Sequence, residues 1–227
     1  MNSAAVPTQL DDVQGDGRWL SVHKRYVSEV RDSEPDVLLI GDSYIQQLAQ
    51  TRVWSKYFEP LHCLNFGING DKTQHVLWRV QHGELEQISP KVVVVCTGTN
   101  NYEHTAEEVV DGILEIVKAI GEKQRSAQII VMSLPPRGQF PNPLRVKNAK
   151  INSMLANKLS NQANAQFLNV EAETFVNADG EINHRDMYDY LHLTEQGYQK
   201  LCEPLVEEIQ NLTKTFVKCE SVDDGDN

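Results

Sequence analysis

The sequence predicts a doubly wound α/β sandwich, in which helices cover both faces of a five-stranded parallel sheet. Short, continuous apolar runs recur along the chain, as expected of strands that are buried on both faces. Segments with apolar residues at helical spacing lie between these runs, so strand and helix alternate five times. Folds of this kind with right-handed crossovers usually have the strand order 2-1-3-4-5, which we expect here.

Each element follows from a local pattern. The apolar runs that we predict as strands lie at residues 37–40, 63–66, 92–96, 129–132 and 167–170. Helices are predicted over residues 19–30, about 144–159 and about 195–212. A further helix begins after Asn101, where Thr105 and Glu108 are spaced as a capping box ahead of apolar residues at helical spacing.

Length and composition favour one globular domain. The chain has 227 residues, 40% of them hydrophobic, and a chain of this size can bury most of its apolar surface in a single core. Polar ends without periodicity suggest an amino-terminal arm at residues 1–17, a domain at 18–213 and an acidic, disordered tail at 214–227. The arm could pack on the surface of the domain.

Charge and cysteine usage exclude several classes of protein. The net charge of -11 argues against nucleic acid or an anionic membrane surface as the main partner, since both require clustered basic residues. Four cysteines without a Cys-x-x-Cys pair indicate reduced thiols in a cytosolic protein: Cys63, Cys96, Cys202 and Cys219. We expect no signal peptide and no transmembrane segment, because neither pattern occurs.

Polar, glycine-bearing segments leave the first three predicted strands: "GDS" at 41–43, "NFGINGD" at 65–71 and "GTNN" at 98–101. In the expected strand order these strands are neighbours, and ligands bind at the carboxyl ends of strands at such a switch point. Ser43 is therefore a candidate nucleophile. The same serine also suits the N-cap of the following helix, and from the tripeptide alone capping is the commoner role.

Asp189 and His192 lie three residues apart in "DMYDYLHLT", just before the last predicted helix. A serine nucleophile needs a general base, and that base needs an acceptor on its other ring nitrogen to fix the tautomer. These two residues could supply both. Alternatively, Asp189 caps a turn and His192 is an interfacial histidine.

An ester hydrolase also needs donors for the oxyanion of the tetrahedral intermediate. The backbone N–H groups of Ser43 and Gly70 and the side-chain amide of Asn100 could form such a hole. Gly70 could instead be a turn glycine, and Asn100 a loop amide that satisfies backbone groups. The occurrence of all these residues at the expected strand ends of one fold favours the catalytic interpretation.

These blocks resemble those of the SGNH (GDSL-like) hydrolase family, with "GDS", Gly70, "GTN" and "DYLH" in the positions of its four motifs. Segments such as "PLHCLNFGINGD", "PRGQFPNPLR" and "HRDMYDYLHLT" are most similar to the branch formed by the catalytic alpha subunits of intracellular platelet-activating factor acetylhydrolases. The resemblance covers about residues 10–212.

The resemblance implies a flavodoxin-like, cytoplasmic serine esterase that removes the sn-2 acetyl group of platelet-activating factor without metal or other cofactor. It implies a homodimer or heterodimer of catalytic subunits and a WD-repeat regulatory partner. By motif position, Ser43 is the nucleophile, His192 the base and Asp189 its partner, with Ser43, Gly70 and Asn100 as oxyanion donors. The acyl pocket would contain Tyr44, Thr99 and Leu191.

The chain departs from the pattern of this branch at a few positions. Asn69 replaces a glycine next to Gly70, and Tyr44 follows the candidate nucleophile where an aliphatic residue or methionine is usual. Cys96 and Thr97 replace Trp and Val at the end of the third strand. Tyr44 therefore puts the preferred acyl length in question.

Two other functions are compatible with the fold. One is a scaffold subunit that binds the WD-repeat partner with little esterase activity, which the complete set of motif residues argues against. The other is an esterase for acetylated sugars or other small esters. We reject a metal site in the segment from His184 to His192, because its spacing matches no metallohydrolase pattern.

Overall fold

The sheet has the predicted topology. The structure is a computed structural model that describes residues 2–223, with side chains as far as residue 216. Its strands are β1 (Val37–Gly41), β2 (Cys63–Gly67), β3 (Val92–Cys96), β4 (Gln128–Met132) and β5 (Ala165–Leu168). All neighbouring pairs are parallel and the order is β2-β1-β3-β4-β5. The predicted fold class and strand order are confirmed.

Helices follow the strands and cover both faces of the sheet. They are α1 (Arg18–Glu29), α2 (Ser43–Leu48), α3 (Thr73–Gln81), α4 (Ala106–Lys123), α5 (Pro143–Leu159) and α6 (Glu195–Asp223). The predicted capping box of α4 is confirmed: Glu108 N donates to Thr105 Oγ1 at 3.2 Å, and Thr105 N donates to Glu108 Oε2 at 2.8 Å. Short 3₁₀ turns lie at Ser3–Ala5, Glu59–Leu61 and Ala172–Thr174, and a π-helical turn at Trp54–Phe58.

Alternation along the strands divides the apolar side chains between two cores. Leu38 and Ile40 pack with α1, α3, α4 and α5 on one face of the sheet. Val37 and Leu39 pack with α2 and α6 on the other face. Because both faces are covered, each strand is apolar throughout, which is why continuous apolar runs predict it.

Two predicted boundaries are wrong. The fifth strand is Ala165–Leu168 rather than 167–170, because its extent is set by pairing with β4, from Ile129 opposite Ala165 to Met132 opposite Leu168. The last helix continues past residue 212 to Asp223, so the tail predicted as disordered from 214 is helical as far as that residue. No Gly or Pro interrupts this stretch, and extending an existing helix costs little. Residues 224–227 of that tail lie outside the described residues.

The amino-terminal arm packs against α3 and α4. Ala4 is fully buried, and its carbonyl accepts a hydrogen bond from Thr73 Oγ1 at 2.8 Å. Ser3 Oγ hydrogen-bonds His104 Nε2 at 2.8 Å. Gly112 of α4 allows this approach, because a Cβ at that position would lie 2.4 Å from the Ala4 carbonyl oxygen.

The described part of the chain contains no helix that is long and apolar enough to cross a bilayer. Among the cysteines, Cys63, Cys96 and Cys202 are free thiols, and the side chain of Cys219 lies outside the described residues.

Candidate active site

Three loops meet at the carboxyl ends of β1, β2 and β3. The strand register pairs Gly41 of β1 with Gly67 on one side and with Cys96 on the other, so the three strands end at the same edge. Beyond the strands, Asp42 N donates to the Cys96 carbonyl at 3.2 Å and Ile68 N donates to the Gly41 carbonyl at 3.0 Å. The segments that carry Ser43, Gly70 and Asn100 are therefore brought together, as the strand order predicts.

Ser43 is the first residue of α2, and its neighbour Asp42 is the N-cap. Asp42 Oδ1 accepts a hydrogen bond from Tyr44 N at 3.0 Å. The capping role that was the alternative for Ser43 is thus filled by Asp42. Ser43 is almost fully buried at the base of the loops.

Glycines let the neighbouring strands approach the α2 turn closely. A Cβ on Gly67 would lie 2.1 Å from Gln46 N, and a Cβ on Gly41 would lie 2.0 Å from the Cys96 carbonyl oxygen. A larger residue at position 67 would push α2 away from β2, and one at position 41 would displace the end of β3 and the Ile45 side chain of α2. These two glycines therefore determine where Ser43 stands relative to β2 and β3.

Asp189 and His192 are in contact on the loop before α6. The Nδ1–H of His192 donates to Asp189 Oδ2 at 2.7 Å, and His192 N donates to Asp189 Oδ1 at 2.7 Å. Partial burial raises the pKa of Asp189, but the hydrogen bonds from His192 outweigh it and hold that pKa below its usual range. The carboxylate is therefore ionised near neutral pH and orients the ring with Nε2 free to accept a proton.

Tyrosines connect this loop and α6 to α2. Tyr198 of α6 donates from its hydroxyl to the Tyr44 carbonyl at 2.8 Å, and the Tyr188 hydroxyl lies 3.4 Å from Gln47 Oε1. Within the described residues, no hydrogen bond joins Ser43 to His192. Such bonds are often long in the absence of substrate and tighten when it binds.

Gly70 and Asn100 lie on the two loops that flank Ser43. Gly70 is exposed with φ of 81°, a conformation that favours glycine, and a Cβ there would have no neighbour within 4 Å. Asn100 is half-buried, and its Nδ2 donates to the Asp71 carbonyl at 2.9 Å. One amide hydrogen of Asn100 thus fixes the side chain, and the other is available to a ligand. Asn69 donates its N–H to Gln46 Oε1 at 2.8 Å and leaves the left-handed position of the turn to Gly70.

Tyr44, Thr99 and Leu191, the residues expected in an acyl pocket, differ from one another in burial and in contacts. Tyr44 is fully buried in the core between the sheet, α2 and α6, and its hydroxyl has no hydrogen-bond partner among the residues that the structure describes. Leu191 is half-buried and packs against the same core. Thr99 is buried at the end of β3, where its carbonyl and Oγ1 accept from Arg137 Nη1 at 2.8 and 3.2 Å.

Sequence reasoning missed three charged residues at this edge of the sheet. Asp42 is fully buried, and burial raises the pKa of its carboxyl to about 7. Its Oδ2 has no hydrogen-bond partner in the described part of the chain. Arg137 comes from the loop after β4 and connects that loop to Thr99. Arg79 of α3 is fully buried. Its position inside the apolar stretch "HVLWR" could have indicated this burial from the sequence.

Two further observations concern where a ligand or a metal ion could bind. A cleft of about 440 Å³ lies beside α2, with Gln47, Asn69 and Tyr188 among its lining residues. Among residues whose side chains are described, no three His, Cys, Asp or Glu side chains are grouped so that they could hold a metal ion.

Comparison with known proteins shows which family the sequence matches. The sequence model of the GDSL-like Lipase/Acylhydrolase family matches residues 39–200. The chain is 54% identical over 211 residues to platelet-activating factor acetylhydrolase IB subunit alpha2 of Homo sapiens, covering 93% of this chain and 92% of that protein. It is 52% identical over 204 residues to subunit alpha1 of Bos taurus, covering 90% and 88% of the two chains.

Solved structures share the fold at low identity. A GDSL-like lipase from Bacteroides thetaiotaomicron has a TM-score of 0.67 and 20% identity, covering 83% of this chain and 97% of its own. Est24, a carbohydrate acetylesterase from Sinorhizobium meliloti, has a TM-score of 0.59 and 15% identity, covering 79% and 100%. At these identities the comparison with solved structures supports the fold alone.

Proposed function

This chain belongs to the GDSL-like lipase/acylhydrolase family and is an esterase, and we propose that it removes the sn-2 acetyl group of platelet-activating factor or a related phospholipid. The relatives that are more than 50% identical over nine-tenths of the chain are named as platelet-activating factor acetylhydrolase subunits. A short acyl group on a phospholipid is therefore the substrate class that the comparisons favour.

In the proposed mechanism Ser43 Oγ attacks the acetyl carbonyl carbon while His192 Nε2 takes its proton. The Asp189 carboxylate stabilises the imidazolium and holds the ring in place. The Ser43 and Gly70 N–H groups and the Asn100 amide donate to the oxyanion. His192 then protonates the departing alcohol oxygen of the lysophospholipid, leaving an acetyl-serine. Water, deprotonated by His192, attacks the carbonyl carbon of this ester; the Ser43 oxygen leaves, takes that proton back from His192, and acetate is released.

The observation that carries this assignment is the Asp189–His192 pair on a loop that is hydrogen-bonded to α2, the helix that begins with Ser43. Asp42 caps the helix, so the Ser43 hydroxyl is not needed for that role, which supports its assignment as the nucleophile. The loops that carry Gly70 and Asn100 leave the sheet at the same edge as Ser43, which supports their proposed role as oxyanion donors.

We further propose that the chain works in the cytoplasm as a dimer of catalytic subunits with a WD-repeat regulatory subunit. The relatives are named as subunits, which supports an assembly of more than one chain. Light scattering of the purified chain should give twice the mass of the 25.7 kDa monomer. A monomer at micromolar concentration would contradict the dimer.

Hydrolysis of acetyl-labelled platelet-activating factor tests the function. The wild-type chain should release acetate, and Ser43→Ala should abolish release while leaving the fold intact. Ser55→Ala, at an exposed serine of the π-helical turn, is the matched control and should retain full activity. Undiminished release by Ser43→Ala would rule out this nucleophile. Activity on p-nitrophenyl acetate or acetylated sugars without release from the phospholipid would contradict the substrate.

A further inference from the structure

A fully buried arginine lies directly beneath the candidate site. Arg79 Nε donates to Asp71 Oδ2 at 2.8 Å, and its Nη1 donates to Glu84 Oε2 at 2.5 Å. None of these three side chains is exposed to solvent. Glu84 is in turn hydrogen-bonded to His23 Nδ1 at 2.8 Å. The charges are therefore paired, as buried charges must be.

The remaining donors of Arg79 bind the strand ends that lead into the site. Its Nη2 donates to the carbonyl of Gly41 at 3.0 Å, and its Nη1 donates to the carbonyl of Phe66 at 3.1 Å. Gly41 is two residues before Ser43, and Phe66 is four residues before Gly70. One guanidinium thus ties together the strands that carry two of the three proposed oxyanion donors.

Asp71 connects the same arginine to the third donor. Its side chain accepts from Arg79 and, at Oδ1, from the indole N–H of Trp19 at 2.7 Å. Its backbone carbonyl accepts from the amide of Asn100 at 2.9 Å. Asp71 also directly follows Gly70 in the chain. Movement of Asp71 would therefore displace Gly70 and Asn100 together.

We propose that Arg79 and Asp71, braced by Trp19, are positioning residues that set the relative placement of the oxyanion donors Ser43, Gly70 and Asn100. The inference rests on the proposed function, because it assigns the network to that site. Oxyanion donors act only when they are preorganised, and a displacement of about 1 Å can cost about a hundredfold in rate.

Stability alone does not account for the charges. Buried ion pairs are often no more stabilising than well-packed apolar residues of the same volume, because desolvation offsets the attraction. Burial raises the pKa of Asp71 to about 6, and the attraction of Arg79 opposes that rise. What an apolar replacement could not supply is the set of directed hydrogen bonds to Gly41 and Phe66 at the edge of the site.

Trp19→Phe tests the proposal with little disturbance, since it removes one donor to Asp71 and retains a buried aromatic ring. We expect kcat for p-nitrophenyl acetate to fall about tenfold, with KM changed less than twofold. Trp54→Phe is the matched control, because Trp54 is as deeply buried but its indole N–H, unlike that of Trp19, donates no hydrogen bond within the described residues. It should leave kcat unchanged. Asp71→Asn should lower kcat more than Trp19→Phe does.

A double variant shows whether the effect acts through the oxyanion donors. In an Asn100→Ala background, Trp19→Phe should cost less than threefold in kcat, because one target of the positioning is already absent. A full tenfold loss in that background, or a loss no greater than that of Trp54→Phe, would overturn the inference while the esterase assignment stands. A wild-type chain that hydrolyses no ester would overturn the proposed function, and this inference with it.

Discussion

At the scale of single residues, Asp42 takes over helix capping, a role that the candidate nucleophile Ser43 could otherwise have filled. Its Oδ1 caps α2 through Tyr44 N, so the hydroxyl of Ser43 is not needed for helix initiation. The carboxyl of Asp42 is fully buried, and its Oδ2 has no hydrogen-bond partner within residues 2–223 as described. Among the side chains that the structure describes, two further polar atoms at this end of the sheet are buried without a hydrogen-bond partner, the Tyr44 hydroxyl and Thr97 Oγ1.

Asn100→Ala should lower kcat for a short ester by about a hundredfold to a thousandfold, the usual loss when one oxyanion donor is removed. KM should change little, because the amide would meet charge that is present only in the transition state. Steady-state kinetics on p-nitrophenyl acetate measures both constants. A change confined to KM would mean that Asn100 binds the ground state instead.

Tyr44→Phe should leave the free energy of unfolding unchanged or raise it by up to about 1 kcal/mol, because the hydroxyl it removes is buried without a partner. Tyr198→Phe is the matched control. Tyr198 is equally buried, but its hydroxyl donates to the Tyr44 carbonyl, so its loss should cost about 1 to 2 kcal/mol. Urea denaturation of the three proteins would test this, and equal losses in both variants would contradict it.

At the scale of elements, the amino-terminal arm packs closely on α4 because Gly112 has no side chain. The carbonyl of Ala4 approaches α4 at Gly112, and Thr73 of α3 closes the same contact from the other side. The backbone of Thr73 is also held in place, because its N–H donates to Asn101 Oδ1 at 3.0 Å. Asn101 directly follows Asn100 in the chain. The arm, α3 and the loop after β3 thus form one packed unit next to the candidate site.

Gly112→Ala should destabilise the protein by about 1 to 3 kcal/mol although alanine is the better helix former, because its Cβ would meet the Ala4 oxygen at 2.4 Å and Thr73 Oγ1 at 2.7 Å. Gly121→Ala in the same helix is the control. There a Cβ would meet only Asn164 Nδ2, at 3.2 Å, and we expect no loss or a gain of up to about 1 kcal/mol. Thermal and urea unfolding would compare them. Equal effects would show that the arm does not depend on this contact.

At the scale of the whole molecule, the pH dependence of stability reflects buried groups with opposite effects. Burial raises the pKa of Asp42 to about 7 and of Asp71 to about 6, while burial lowers the pKa of His75 to about 4. Between pH 4 and 7 the two carboxyls bind more protons in the folded than in the unfolded chain, so their contribution to stability falls as pH rises. His75 binds fewer protons when folded, and its contribution rises with pH between about 4 and 6.5.

Asp42→Asn isolates one of these contributions, since asparagine can still cap α2. The contribution of protonated Asp42 to the free energy of unfolding is largest below pH 4 and is lost as the pH rises to about 7. The variant should therefore gain about 1 to 3 kcal/mol relative to wild type between pH 5 and 8. Urea unfolding across this range measures the difference. Asp179→Asn, at an exposed loop position, should follow the wild-type curve, and the same behaviour by Asp42→Asn would refute the prediction.

Features that depend on neighbouring residues could be predicted from the amino-acid sequence alone. Apolar runs predicted all five strands, and the spacing of Thr105 and Glu108 predicted how α4 begins. The three-residue spacing of Asp189 and His192 placed them in contact, because a single loop can close that distance. The order of the strands then indicated that Ser43, Gly70 and Asn100 leave the sheet at one edge.

Contacts between residues that are far apart in the sequence could be identified only from the three-dimensional fold. Trp19 reaches Asp71 across 52 residues, and Arg79 reaches Gly41 across 38, and no local pattern specifies either pair. The extent of β5 likewise depends on β4 rather than on its own apolar residues. Local periodicity reports which face of an element is buried, whereas the partner of a buried polar group is set by the packing of elements that are distant in sequence.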